Sequence, residues 1–260
     1  MKKIYLTRMT LNPRSNQVRS EVGDPRELHR TISRGFPAVE NPPDTPKHLE
    51  TTPRNEYNIL HRLDIERHRG TAYLLVQAER EPDWSFLKDT DYADEIETKE
   101  VGEKYEAIEK GMRLLFRLQA NPVKRAANRY DYPIEEKRDE FNQKFKDEKK
   151  RRRIPIYKEE DQMKWLEEQG KRFGFQIADL KINPAVRNVI SVKEGKIEFT
   201  KREKDREDKR TVTYGSVVFE GVLIVTDAEV FKAALTAGIG QGKAYGFGLL
   251  SIAPERGTAA

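Results

Sequence analysis

Histidine is the side chain best suited to move a proton near neutral pH, and one of the four histidines here stands on a predicted helix crowded with arginine. The helix is written in DPRELHRTISR, residues 24–34. Asp24 is a good N-cap, Pro25 suits the first helical position, and Glu27 sits where a capping-box carboxylate belongs. Gly35 and then Pro37 predict its end. At about 100° per residue, Leu28 and Ile32 mark the buried face. His29, Ser33 and Arg26 then fall within an arc of about 60° at the margin of that face. Arg30 lies further round, and Arg34 one turn beyond it. One surface thus offers a proton carrier, a hydroxyl and guanidinium groups able to clamp a phosphate. That is equipment for acid–base work on a phosphodiester. It equally describes an exposed histidine on a solvated basic helix, and the residues alone leave the two readings level.

The other histidines offer less. His61 falls in a predicted strand and reads as a satisfied structural residue, His68 lies at a turn, and His48 in a loop rich in proline. No HxH or HExxH spacing occurs and there is no cysteine, so neither a metal site nor a disulfide framework is expected. No cofactor is implied.

The glycine-rich run GIGQGKAYGFG (238–248) fails both phosphate-loop patterns. Ala237 stands where a Walker A loop needs glycine, and Lys243 and Tyr245 stand where GxGxxG would need its last one. The run also lies between a helix and a strand, the reverse of a nucleotide loop. What remains is Gly238 and Gly240, five residues, then Gly246 and Gly248, a spacing that lets backbone approach a sheet or an RNA strand closely.

Charge points the same way. The chain has 260 residues, 36% of them charged, and a net charge of +5. Residues 1–20 and 111–130 each carry five bases and no acid, and 144–153 carries seven bases against two acids. Three separated basic stretches favour a polyanion partner if the fold unites them. Arg117, Lys124 and Arg125 flank the Asn121–Pro122 turn and are candidate phosphate contacts, as is Lys243 in the glycine-rich run. The segment KREKDREDKR (201–210) holds Lys201, Arg202, Lys204, Arg206, Lys209 and Arg210 among four acids. It reads either as a nucleic-acid-binding hairpin tip or as a self-compensated solvated loop.

The elements that must position these residues follow a repeated order. Strands are predicted at 3–11, 57–66 and 71–79, with the His29 helix after the first. Residues 81–87 open a short helix, and the stretch up to 107 is ambiguous. A second unit starts with a strand at 112–120, a helix at 159–169 and strands at 187–200 and 211–225. Asp227 caps a further helix ending at Gly238, and 246–252 reads as the last strand. Residues 128–156 are mostly charge and read as a mobile insertion. Each half is approximately β-α-β-β-α-β, so the predicted fold is α+β, with two tandem ferredoxin-like (RRM-like) domains at 1–107 and 108–256. No apolar run is long enough for a secretory signal or a membrane span, which predicts a cytoplasmic protein.

Four stretches carry a family resemblance: DPRELHRTISR (24–34), LLFRLQANPVKR (114–125), VVFEGVLIV (217–225) and GIGQGKAYGFGLLSIAP (238–254). In order and spacing they resemble CasE, the CRISPR repeat-processing endoribonuclease of type I-E Cascade within the RAMP superfamily, over nearly the whole chain. The resemblance implies two ferredoxin-like domains and metal-independent cleavage of precursor RNA at the 3′ base of the repeat hairpin. The RNA's own 2′-OH would attack, leaving 2′,3′-cyclic phosphate and 5′-OH ends, with the mature crRNA retained alongside other Cascade subunits. It implies that His29 is catalytic, with Arg26 and Ser33 beside it. It also implies that Arg30, Arg34, the 201–210 hairpin and the glycine loop bind RNA. One position departs: family members carry tyrosine three residues before the histidine, and here that residue is Arg26. Arginine cannot serve as a base at pH 7, though it can stabilise a phosphorane. Tyr5 and Tyr245 are the tyrosines considered as substitutes, and nothing in the sequence places either near His29. The rival expectation is a non-catalytic subunit of the same complex that binds the repeat stem.

Overall fold

The computed structural model describes residues 3–46, 50–66, 68–126, 153–180, 182–201 and 210–255. His48, most of the 128–156 insertion, and Arg202, Lys204, Arg206 and Lys209 lie outside the described residues, as do the side chains of Lys201 and Arg210.

A four-stranded and a five-stranded antiparallel sheet organise the chain, the fifth strand being β8 (Phe175–Ile177), while β9 (Asp179–Leu180) pairs with β10 (Asn183–Arg187) in a two-stranded ribbon. In the first, β1 (Tyr5–Leu11) lies between β3 (Thr71–Ala78) and β4 (Ala93–Glu100), with β2 (Leu60–Glu66) outside β3. In the second, β5 (Arg113–Ala120) lies between β12 (Arg210–Val225) and β13 (Leu250–Pro254), with β11 (Val189–Lys201) outside β12. Counting the four main strands of each array, both show the same spatial order, fourth, first, third, second. That is the ferredoxin-like arrangement, and it appears twice.

Each array covers its own hydrocarbon. Met9, Leu28, Ile32, Leu74, Val76 and Trp84 belong to one buried cluster. Phe116, Leu118, Trp165, Phe219, Phe231 and Leu250 belong to the other. Trp165 and Leu166 are the inward residues of α5 (Glu159–Arg172), and Phe231, Ala234 and Leu235 those of α6 (Ala228–Ala237), which Asp227 caps as predicted.

The helix of interest is the second, α2 (Pro25–Arg34), and it follows α1 (Asn16–Gly23) with only Asp24 between them. The first helix was not expected. Its cap is the Ser15 side chain, and it buries Val18 in the first core together with one carboxylate. The buried carboxylate of Glu21 accepts from the hydroxyls of Thr31 (2.6 Å) and Tyr92 (2.7 Å). Since Thr31 belongs to α2, this bond fixes how that helix is rotated. At the cap, the Asp24 side chain accepts from the Arg26 amide (3.0 Å). The capping box stays open because the Asp24 amide already donates to Ser20 and Glu21 carbonyls, and Glu27 pairs with Arg30 instead (2.6 Å). Gly35 stops the helix against the Trp84 indole: a Cβ there would sit 2.3 Å from the ring.

Several boundaries move. Residues 53–56 form a short helix, α3 (Pro53–Glu56), so the strand expected from 57 begins at Leu60. The ambiguous stretch contains β4 followed by α4 (Gly102–Glu106). The last strand starts at Leu250 because Gly246 and Gly248 both have φ of +89°, outside strand geometry. Arg153–Pro155, at the end of the expected insertion, forms β7 and pairs with β6 (Val123–Arg125). No helix among the described residues is long and apolar enough to cross a membrane.

The two arrays meet along β2. Its residues Leu60, His61 and Arg62 are buried in succession, so both faces of this outer strand are covered. Arg62 is 3% exposed and donates to the Arg117 carbonyl (3.3 Å) and the Ser251 hydroxyl (2.9 Å), while Asp64 holds its charge at 3.0 Å. Asp64 also pairs with Arg117 at 3.0 Å, and Arg117 in turn with Glu220. Removing one partner of a buried ion pair costs about 3 kcal/mol or more, because the other charge is stranded. Asp64→Ala is therefore expected to lower unfolding free energy by about 3 kcal/mol, measured by urea titration, and a loss under 1 kcal/mol would refute the clamp.

Candidate active site

His29 reaches the margin of α2 and meets His61 from β2. Their ring centroids are 6.1 Å apart and nearly parallel, 19° between planes. His61 was expected to be a satisfied structural residue. It is buried at 1% exposure, but neither ring nitrogen has a hydrogen-bond partner among the described residues, and the His29 Nδ1 has none either. The strand prediction held; the satisfaction did not. Gly246 closes over the pair: its φ is +89°, and a Cβ there would lie 3.7 Å from the His61 Nε2.

The surroundings favour uncharged rings. Burial, and then the Arg54 guanidinium, hold the His29 pKa down at about 4. Burial, followed by His29 and Arg54, holds that of His61 at about 3. Arg54, on α3, was missed by the sequence reading. Thr52 caps that helix and Pro53 opens it, the same pairing as Asp24 and Pro25, and that was the available signal. Burial lowers the Arg54 pKa as well, and its one side-chain bond among those described goes to Asn55 (2.8 Å).

Tyr245 answers the question raised by Arg26. It sits in the short 3-10 turn Lys243–Tyr245, which packs against both α2 and β2. Arg26 is bound first to Asp24, at 2.8 Å, and its charge also interacts with Tyr245. The Tyr245 ring packs 5.4 Å from that of Tyr214. The glycine loop thus brings the turn that carries Tyr245 against α2, within electrostatic reach of Arg26.

The other expected residues divide. Ser33 donates its hydroxyl to the His29 carbonyl (2.8 Å), inside the helix. Arg30 is exposed and paired with Glu27, and Arg34 lies 4.4 Å over the Phe86 ring. Arg117 is held between Asp64 and Glu220. Lys124, Arg125, Gly238, Gly240 and Lys243 border one cleft together. Gly248 packs on the backbone of Ile239, closing the loop upon itself. Lys201 and Arg210 end a ribbon in which β11 and β12 stay paired beyond the part of β12 that touches β5.

The histidine pair makes stability depend on pH. Both folded-state pKa values lie below the unfolded value of 6.5, so the unfolded chain binds more protons below that pH. Stability is then complete above about 6.5 and falls as the pH drops towards 4, by about 1.4 kcal/mol per unit for each such histidine. Melting temperature measured from pH 7.5 to 4.5 should fall, and His61→Phe should flatten the slope. An unchanged slope would show that His61 is solvated.

Comparison with known proteins gives this arrangement relatives. The family model described as CRISPR associated protein matches residues 4–254. The CRISPR-associated endoribonuclease Cse3 of Thermus thermophilus is 31% identical over 251 residues, covering 96% of this chain and 100% of its own. The CRISPR system Cascade subunit CasE of Escherichia coli K12 is 33% identical over 163 residues, 61% of this chain and 65% of its own. Among solved structures, Thermus thermophilus Cse3 bound to an RNA representing a pre-cleavage complex is similar at TM-score 0.69 and 30% identity, over 97% of this chain and 100% of that one. With sequence and tandem ferredoxin-like fold shared from end to end, this chain belongs to the CRISPR-associated Cse3/CasE family.

Proposed function

We propose that this protein is a metal-independent endoribonuclease that cuts CRISPR precursor RNA at the 3′ base of the repeat hairpin and retains the mature crRNA as a Cascade subunit. The observation that carries the reading is His29: an imidazole held uncharged at neutral pH by burial and Arg54, stacked on His61 at the margin of the helix against which the Tyr245 turn packs. A free imidazole accepts the proton of the 2′-OH. The 2′-oxygen then attacks phosphorus, the bond to the 5′-oxygen breaks, and a 2′,3′-cyclic phosphate forms. Arg54 and Arg26 hold the negative charge of the phosphorane, and Tyr245 gives the leaving 5′-oxygen its proton. Ser33 acts as a positioning residue through its bond to the His29 carbonyl.

Binding is divided between two places. Lys124 and Arg125 hold phosphates, and the β11–β12 ribbon carries the 201–210 hairpin to the stem, whose A-form is read through shape, phosphates and 2′-OH groups. The functional division is 1–107, with the histidines, and 108–256, with the ribbon and glycine loop. The two separate cores support it. The reading places the protein in the cytoplasm, where its transcript is made.

The test is cleavage of cognate repeat RNA in EDTA. Wild type should cut, His29→Ala should not, and Tyr245→Phe should slow cutting by about 10²–10⁴-fold. Intact RNA bound tightly by wild type would overturn the enzyme in favour of a non-catalytic stem-binding subunit, the reading that Arg26 at the family's tyrosine position supports. The pH profile adds an independent check. The acid limb of kcat/KM reports the free protein, so it should lie well below pH 6.5. Arg54→Met removes a positive neighbour of His29 and should move that limb to higher pH. A limb that does not move would remove Arg54 from the site.

A further inference from the structure

Beyond the histidines, the glycine loop borders a cleft of about 450 Å³ between β6, β7 and the last turn of α5. Five cations face it, Lys124, Arg125, Arg153, Arg172 and Lys243, and no Asp or Glu is among the described residues that line it. This is unusual on a chain with 44 acids, where Arg30, Arg113 and Arg187 each have a carboxylate partner. One of the five, Arg172, comes from outside the segments that the sequence marked, and Arg153 is the last residue of the 144–153 stretch. Arg153 is oriented by its bond to Gln241 of the glycine loop (2.6 Å). The Arg172 guanidinium lies 5.2 Å from the Phe173 ring centroid, and Trp165 borders the same space.

Four features decide what fits. Positive charge from Lys124, Arg153, Arg172 and Lys243, with no carboxylate among the described lining residues, asks for a polyanion. The guanidinium groups, with the partly buried Phe173 ring beside Arg172, suit a nucleobase attached to that anion. The size is that of a small-ligand pocket, whereas an A-form stem presents a broad outer surface and does not enter one. Finally, the cleft adjoins the histidine site. Lys243 belongs to the turn that carries Tyr245, donates to the Ala237 carbonyl (2.6 Å), and interacts with Arg54 of the histidine site and with Arg172 in the cleft.

We propose that this cleft holds the first unpaired nucleotide downstream of the cut, with its phosphate among Arg153, Arg172 and Lys243. The inference rests on the cleavage reading above, because it needs a strand that continues past the scissile phosphate at His29. Its role is to fix the leaving side of that phosphate, so that the 5′-oxygen lies in line with the attacking 2′-oxygen.

The test uses repeat hairpins made uncleavable by a 2′-deoxy nucleotide 5′ of the cut, with either no single-stranded extension, a downstream one or an upstream one. The downstream extension should tighten binding to wild type about tenfold, the scale of one stacked and phosphate-bound nucleotide. Combined Arg153→Ala and Arg172→Ala should erase that gain and leave affinity for the bare hairpin unchanged. Arg172→Gln alone should lose part of it, and covers the case in which the double variant does not fold. The proposal is overturned if the downstream extension adds nothing, if the upstream one adds as much, or if the variants weaken the bare hairpin equally. Whether wild type cuts the unmodified RNA is read separately, so failure of the cleavage reading is distinct from failure of the cleft.

Discussion

Buried polar contacts centred on the Arg62 guanidinium hold the two halves of this molecule in one register. Arg62 reaches from the outer strand of the first sheet to a carbonyl and a hydroxyl of the second, with Asp64 balancing its charge. Hydrogen bonds are directional where hydrocarbon contact is not, so the junction is specified as well as stable. The residues on either side follow from it. Leu60 packs under Gly238 and His61 under Gly246, which places β2 along the glycine loop at successive positions. His29 of α2 then meets a ring from β2, and the Lys243–Tyr245 turn from the other half of the chain packs against both elements. Were this strand to slide by one residue, its side chains would change faces and the site would come apart.

Electrostatics turns that placement into a chemical bias. Several described arginines here are balanced by a carboxylate, as Arg26 by Asp24 and Arg113 by Glu255. For Arg54 beside the histidines, and in the lining of the cleft, no carboxylate partner stands among the described residues. The cost is carried by the titratable groups: His29, His61, Lys243 and Arg54 are all pushed towards their neutral forms, first by burial. A phosphate backbone entering such a place would supply the missing charge, and each counterion it gives up would favour binding.

Much of this was legible in the sequence where the signal is local. Asp24 and Pro25 located α2, Asp227 located α6, and alternation located β1, β5 and the β11–β12 pair. The failures share a cause. The strand β4, ADEIETKE, has no fully buried residue, so it carries no alternation to read. The helix α1 buries a carboxylate satisfied by side chains some ten and seventy residues away, which no window along the chain can reveal. In the site, His29 and the glycine spacing were visible, whereas Arg54 acts on His29, and the Tyr245 turn packs against α2, only through tertiary structure. The unsatisfied nitrogens of His61 belong to the same class, since a strand histidine is satisfied or not according to what crosses over it.

The chain has two tryptophans, and the fold gives one to each half: Trp84 lies in the first core, against Gly35 at the end of α2, and Trp165 in the second, at the edge of the cleft. Each indole is more than nine-tenths covered. The protein therefore carries a separate optical reporter in each lobe. Replacing one indole at a time would let fluorescence follow the loosening of either half alone, and would show an occupant of the cleft from one side only.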